Sequence, residues 1–194
     1  LFPYTTLFRS RLSPSSFGLE PWKFLIVENK ELIKEISEVS WGFQRQASTT
    51  SHIVIALTKA GSEVKYDSDY IRNLWINTKG VSEEFFEGIK DVLKNFQVGK
   101  LEADETNEKL LEWSKRQTYI ALGNMMTAAA MREIDSCAIE GFDKEKVEEI
   151  LAKKGILDKE KYELTYLIAF GYRKEDPNRK KSRLPKSEVI QWVE

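Results

Sequence analysis

The sequence predicts one domain that mixes helices with a few buried strands, and three observations lead to this class. Three runs of apolar residues, at 22–27, 52–57 and 162–172, are typical of strands. Apolar residues at helical spacing separate these runs. A long uncharged stretch, 117–131, predicts a helix in the middle of the core. At 194 residues the chain is long enough to bury such a core as a single domain.

The composition argues against several classes of protein. Thirty basic and 31 acidic residues leave a net charge of -1, so no electrostatic feature demands nucleic acid or an anionic membrane surface. The single cysteine, Cys137, cannot form an intramolecular disulfide, and with one histidine, His52, a Cys/His zinc site is not available. No signal peptide and no transmembrane run is recognisable. We therefore expect a cytoplasmic protein without a nucleic-acid or membrane partner.

The first ten residues, LFPYTTLFRS, do not read like the start of a domain. They resemble the in-frame translation of a common sequencing-adapter oligonucleotide. We expect residues 1–10 to be an artefactual segment and the native sequence to begin near Arg11, with the true N-terminus missing. Residues 11–194 are then expected to form the single domain.

The first half of the chain predicts helices packed beside the strands. Residues 30–39 show the spacing of an amphipathic helix, and 41–48 predict a second, short helix. His52 stands at the edge of the second strand, where a structural hydrogen bond is its most frequent role. Residues 61–107 are charged, aromatic-rich and helix-like. Their aromatic side chains are either core contacts or a hydrophobic lid over a flat ligand.

The second half begins with the central helix, predicted over 110–132. Because its stretch 117–131 is uncharged and small-sided all round, we expect it to be buried all round. A loop is predicted over 135–142, followed by a helix capped by Asp143. The tail after the last strand is polar and basic, but it ends in the apolar residues 189–193, which predicts packing on a distant surface or on a partner subunit.

Sequence motifs for side-chain catalysis are absent. There is no credible Ser/His/Asp arrangement, no cluster of metal ligands, and no GxGxxG or P-loop pattern. Residues 14–18, PSSFG, form a polar turn with two adjacent hydroxyls before a strand, which is either a ligand-holding loop or a plain connection. Chemistry in this protein would therefore come most easily from a bound cofactor.

Four segments together resemble the nitroreductase family of FMN-dependent NAD(P)H oxidoreductases, related to the oxygen-insensitive enteric enzymes. They are PSSFGLEPWKFLIV (14–27), WSKRQTYIALGNMM (113–126), AIEGFD (138–143) and KSRLP (181–185), and they occur in the family's order and approximate spacing. The resemblance covers residues 11–194. It implies an α+β fold with a central, mainly antiparallel sheet flanked by helices. It also implies a homodimer with an exchanged C-terminal arm and with FMN in the subunit interface.

The same resemblance implies an activity. NADH or NADPH would reduce the flavin and leave, and a nitroaromatic, a quinone or a similar flat small-molecule acceptor would then take the electrons in the vacated site. No side chain need act as an essential acid or base. The alternative is a flavin-binding protein that is catalytically idle and sequesters or senses FMN.

Residues that match the family's motifs near the flavin ring come from three parts of the chain. Ser15 and Ser16 correspond to the loop at the ribityl chain and the ring edge. Gly18 stands where the best-known members carry an asparagine. Gln117 matches a glutamine near the isoalloxazine, and Gln46 aligns with a polar stretch that contacts the flavin.

Two further groups of residues correspond to the reactive side of the ring and to the phosphate. The backbone N–H groups of Glu140 and Gly141 match those that face the ring nitrogen gaining the hydride, where a preorganised donor stabilises added charge. Ile139 is expected to pack on the ring face. Lys181 and Arg183 match the basic pair at the phosphate, a dianion that needs cations. Phe85, Phe86 and Phe96 are the candidate substrate lid.

Overall fold

A computed structural model describes residues 10–103 and 106–193. The segment expected to be artefactual, 1–10, therefore lies outside the described residues except for Ser10, and its boundary stays a prediction.

Four strands form one antiparallel sheet in the order β1-β2-β4-β3. The strands are β1 (Trp22–Val27), β2 (His52–Lys59), β3 (Asp135–Ile139) and β4 (Tyr162–Gly171). The two most apolar strands, β2 and β4, occupy the centre because they can bury both faces. The three predicted strands and the α+β class with an antiparallel sheet are confirmed.

The described part of the chain contains seven α-helices. The Asp143 side chain accepts a hydrogen bond from the Lys146 N–H at 3.2 Å, which confirms the predicted N-cap. The helices are α1 (Lys30–Glu38), α2 (Gln44–Ala47), α3 (Asp69–Asn73), α4 (Glu83–Gly99), α5 (Asn107–Ala130), α6 (Lys144–Lys153) and α7 (Lys186–Val189), with a π-helical turn at Leu74–Thr78 after α3.

Helices cover both faces of the sheet, and the alternation of side chains along β2 divides the core accordingly. Ile55 and Leu57 pack on one face with α1 and α6, in a cluster that includes Ile36 and Leu151. Val54 and Ala56 point to the other face, where α5 packs. A third cluster joins α3, α4 and the start of α5 at one end of the molecule.

Two sequence-based expectations need correction. The predicted loop over 135–142 is wrong in its first part, because Asp135–Ile139 pairs with β4 as an edge strand. The central helix is not buried all round within one chain. Met125 and Ala129 are buried against the sheet, while Ile120 and Met131 on another face are 41% and 75% exposed.

The C-terminal segment lies outside the core. Residues 172–193 are exposed, and their apolar side chains include Val189 and Trp192, which are 61% and 84% exposed. The exchange of this arm in a homodimer stays a prediction. Across residues 10–103 and 106–193, no helix is both long enough and apolar enough to cross a membrane.

Candidate functional site

The loop at residues 15–18 is fixed to the central helix by Gln117. The side-chain oxygen of Gln117 accepts a hydrogen bond from the Ser16 N–H at 2.9 Å, and its amide nitrogen donates to the Trp113 carbonyl at 3.2 Å. The Ser15 hydroxyl oxygen accepts from the Glu20 N–H at 2.9 Å. Gln117 is only 8% exposed, so this anchor lies beneath the loop. The structure thus brings together three predicted site residues, Ser15, Ser16 and Gln117.

Gly18 belongs to the same loop and has a left-handed backbone, with φ of 60°. Its carbonyl accepts a hydrogen bond from the Lys79 ammonium at 2.8 Å. A Cβ at position 18 would lie 2.6 Å from the Lys79 Nζ, so any side chain there would displace the lysine. Lys79 fills the space left by the missing side chain.

The second candidate region is the turn at Glu140–Gly141, which directly follows β3. The Gly141 carbonyl accepts a hydrogen bond from the Gly42 N–H at 2.7 Å, and the Glu140 carbonyl accepts from the Phe142 N–H at 2.9 Å. Among the described backbone hydrogen bonds outside helices and strands, none is donated by the N–H of Glu140 or Gly141. The turn therefore has bound carbonyls and two N–H groups without a backbone partner among the described residues.

Close packing with Trp41 shapes this turn. A Cβ at position 141 would lie 2.9 Å from two atoms of the Trp41 indole ring, so only glycine fits without a shift. Trp41 itself is 79% exposed. Ile139, which was expected to pack on a flavin ring, is instead buried among the residues between the sheet and helices α1 and α6, with 3% exposure. Its side chain is a core contact within one chain, and the expected contact with the flavin ring stays a prediction.

Tyr119 connects the turn to the central helix. Its hydroxyl donates a hydrogen bond to the Glu140 carboxylate. Its ring packs on the ring of Tyr166, with centroids 5.2 Å apart. Burial and the hydrogen bond to Glu140 raise the pKa of the Tyr119 phenol well above its usual range, so the hydroxyl is the donor at neutral pH.

The two candidate regions lie on opposite sides of α5. Successive residues of an α-helix are rotated by about 100°, so Gln117 and Tyr119 point about 200° apart. Gln117 holds the 15–18 loop on one side, and Tyr119 holds the Glu140–Gly141 turn on the other. The predicted site residues consequently fall into two sets, one on each side of α5.

Gln46 belongs to the set on the Glu140 side. Its amide nitrogen contacts the Cys137 sulfur of β3 at 3.5 Å, and its side-chain oxygen is buried without a hydrogen-bond partner. Both residues line a cavity of about 190 Å³, which Asp135 and Arg173 also line. A buried oxygen without a partner is costly, so this edge of the cavity favours a ligand that donates a hydrogen bond.

Lys181 lines a neighbouring cleft of about 600 Å³, a volume typical of small-molecule sites. The cleft shares Asp135 and Arg173 with the first cavity. Arg173 donates two hydrogen bonds to Asp135, at 2.9 and 2.6 Å, and one to Asp176 at 3.2 Å, so nearby carboxylates balance its charge. Of the described residues that line the cleft, Lys181 is the cation without an ion-pair partner.

Arg183 does not line this cleft, and its guanidinium donates to the neighbouring Ser182 carbonyl at 2.7 Å. The structure therefore separates the two members of the expected basic pair. Within the described residues, no group of His, Cys, Asp and Glu side chains is suited to hold a metal ion.

The three candidate lid residues differ in their surroundings. Phe86 is a core residue with 3% exposure, which favours the core-contact alternative over the lid for this residue. Phe96 packs between Phe17 and Trp113, with ring centroids 5.0 and 5.5 Å away, and supports the 15–18 loop from below. Phe85 is 54% exposed on the outer face of α4 and keeps the lid role as a prediction.

Sequence reasoning missed Tyr119, Trp41 and Arg173. Tyr119 lies two residues from Gln117, and helical geometry alone could have placed it on the opposite face of the helix. Trp41 and Arg173 carry no signal in the sequence, because their positions depend on how the chain brings Gly141 and Asp135 beside them.

Solved structures share this architecture. A nitroreductase family protein from Streptococcus pneumoniae TIGR4 superposes with a TM-score of 0.73 at 25% identity, over 97% of this chain and 87% of that chain. A protein from Exiguobacterium sibiricum 255-15, whose description names a nitroreductase in complex with FMN, superposes with a TM-score of 0.71 at 19% identity, over 97% and 84% of the two chains. The fold is therefore nitroreductase-like.

Sequence comparison is more specific. The model of the nitroreductase family matches residues 6–172. The YfkO protein of Bacillus subtilis (strain 168), whose name places it with the NAD(P)H nitroreductases, is 43% identical over 183 residues, which are 94% of this chain and 82% of that protein. The chain belongs to the nitroreductase family.

Proposed function

We propose that the protein is an FMN-dependent NAD(P)H oxidoreductase that reduces nitroaromatics, quinones or similar flat acceptors. The observation that carries the proposal is the Glu140–Gly141 turn, whose carbonyls are bound within the protein while its N–H groups are available to a ligand. Two such donors in a fixed turn suit a ring nitrogen that gains electrons. Membership of the nitroreductase family and the FMN-containing relative support the same assignment.

The residues present fit FMN at several points. The unpartnered oxygen of Gln46 can accept a hydrogen bond from the flavin ring, and the Ser15 and Ser16 hydroxyls can contact the ring edge and ribityl chain. Lys181 supplies a cation for the phosphate, with Arg183 two residues further along the chain, and the carboxylates of Glu133, Asp135 and Asp176 line the same cleft. When bound, FMN supplies the redox chemistry in a ping-pong cycle, in which NADH or NADPH delivers a hydride and leaves before the acceptor binds.

The protein's own groups bind and orient in this scheme. The Glu140–Gly141 turn offers N–H donors to the ring, and no side chain serves as an essential acid or base. Phe85, exposed on α4, is the lid residue that can cover the acceptor. A chain with one cysteine fits a reducing cytoplasm.

We further propose that the functional unit is a homodimer. The 15–18 loop and the Glu140–Gly141 turn lie on opposite sides of α5, so a flavin that touches both needs a second copy of the chain. Residues 117–131 carry no charge, and Ile120 of α5 and the C-cap residue Met131 are exposed, so this stretch is a candidate two-fold interface. The exposed apolar tail is available to pack on the partner.

The test is the colour of the purified protein with added FMN. We expect it to bind FMN, to show the flavin absorption band, and to lose that band when NADH or NADPH is added without oxygen. Adding a nitroaromatic or a quinone should then restore the band. A protein that never takes up FMN contradicts the proposal. One that binds FMN but leaves it oxidised is the catalytically idle alternative.

A further inference from the structure

A single hydrogen bond joins the central helix to the turn after β3. It runs from the Tyr119 hydroxyl to the Glu140 carboxylate. Glu140 is exposed, and this is the hydrogen bond that its side chain makes with the described residues. An exposed glutamate loses rotamer freedom when it is held, so a mobile partner would hold it weakly. How strongly this hydrogen bond holds Glu140 therefore depends on how firmly Tyr119 itself is fixed.

Tyr119 is held by packing beneath it. Its ring lies against Tyr166, which is 0% exposed, with the two rings inclined by 52°. The Tyr166 hydroxyl in turn donates to the Thr118 carbonyl at 3.1 Å, so the supporting ring is tied to the same helix. Because burial and Glu140 raise the pKa of the Tyr119 phenol, it remains a donor at neutral pH. The Tyr119 hydroxyl is therefore held in place and stays protonated before any ligand binds.

The remaining contacts hold the turn from its other side. Gly42 binds the Gly141 carbonyl at 2.7 Å, and the Trp41 ring packs on the Gly141 Cα side. These contacts fix the carbonyl of the turn and leave the Glu140 carboxylate to Tyr119. The hydrogen bond from Tyr119 therefore ties the Glu140 side of the turn to α5.

We propose that Tyr119 is a positioning residue: by holding the Glu140 carboxylate on α5, it keeps the N–H groups of the Glu140–Gly141 turn directed at the ligand. This inference rests on the proposed function, in which the ligand is the FMN ring. It assigns two tasks to α5, since Gln117 fixes one flavin loop and Tyr119 fixes the other.

The test compares Tyr119→Phe with the full-length wild type and with Tyr66→Phe as a matched control. Tyr66 packs on the third hydrophobic cluster, which joins α3, α4 and the start of α5. Its hydroxyl makes no hydrogen bond with a described residue. We expect Tyr119→Phe to bind FMN about three- to ten-fold more weakly, the loss typical of one hydrogen bond. The flavin midpoint potential should become more negative, because less ordered N–H donors stabilise added charge less. Tyr66→Phe should match the wild type in FMN affinity and in the flavin midpoint potential.

Two further measurements separate positioning from general stability. Hydrogen exchange of the FMN-free protein should be faster in Tyr119→Phe at the Gly42 and Phe142 N–H groups, which bind the carbonyls of the turn, with no change in β2. Glu140→Ala, which removes the acceptor of Tyr119, should weaken FMN binding, and adding Tyr119→Phe to Glu140→Ala should cause no further loss of affinity. Unchanged FMN affinity, potential and exchange in Tyr119→Phe would overturn the assignment. If the wild type itself takes up no FMN, the proposed function fails, and the exchange comparison still decides the role of Tyr119.

Discussion

Gly141 is the residue whose side-chain size matters most to the proposed site. A Cβ there would lie 2.9 Å from the Trp41 ring, so Gly141→Val must move either the turn or the indole. We expect FMN affinity to fall by about ten-fold or more, in line with the cost of overpacking. Fluorescence titration with FMN measures this affinity. Gly99→Ala is the control, because nothing lies within 4 Å of a Cβ at that position.

For the neighbouring Glu140 we expect that loss of the side chain's charge has little effect on activity. Glu140→Gln changes a charge but leaves the main chain and an acceptor in place, so most of the NAD(P)H-dependent activity should remain. Steady-state assays of both variants make the comparison. Wild-type FMN binding by Gly141→Val together with complete loss in Glu140→Gln would show that the carboxylate, and not the backbone, is the functional group.

Lys181 and Arg183 lie in different surroundings, so their alanine variants should differ in FMN affinity. Lys181 lines the cleft beside Arg173 without an ion-pair partner, whereas Arg183 lies outside the cleft. Lys181→Ala should weaken FMN binding by about ten-fold or more, the scale of a charged hydrogen bond. Arg183→Ala should have the smaller effect. The difference should shrink in titrations at high salt, because exposed charges are screened. Equal losses at low salt would contradict the placement of Lys181.

Motifs and composition gave the positions of individual residues but not the directions of their side chains. The match at 113–126 led to Gln117, which the structure ties to Ser16, and its place near the flavin stays a prediction. Ile139 and Phe86 are buried within one chain, which neither a motif nor composition could show. Both turn into the core.

Among the elements, the strands β1, β2 and β4 were predictable because each is an apolar run that can be buried. Strand β3, DSCAI, has polar residues and a small one, and its pairing with β4 at the sheet edge decides its conformation. The uncharged composition of α5 was also visible, but composition does not say which neighbour covers each face. Within one chain the sheet covers only one of them.

The exposed face of α5 yields a prediction for this helix. Ile120→Glu would place a charge in the proposed two-fold interface, where it meets its own copy and loses water. We expect a monomer in sedimentation velocity, with FMN binding lost at the same time. Lys34→Glu, on the exposed side of α1, changes charge on the opposite face of the sheet and should leave the dimer intact. A dimeric Ile120→Glu would place the interface elsewhere.

At the scale of the whole molecule, the candidate site divides into two halves. Ser15, Ser16, Gly18 and Gln117 lie on one side of α5, and the Glu140–Gly141 turn lies on the other. Spacing along the sequence could not reveal this division, because residues 117 and 140 are joined by a helix end and an edge strand whose packing sets their direction. The division is the structural reason for proposing that two chains build each site.

Mixing two defective variants tests that central claim most directly. Gln117→Ala should release the 15–18 loop, and Gly141→Val should distort the turn, so each protein alone should bind FMN poorly. Unfolded and refolded together, they form mixed dimers with one intact site and one doubly defective site. The account predicts that FMN binding returns to about one quarter of all sites. No recovery on mixing, while each variant folds and dimerises alone, would show that a single chain supplies both halves.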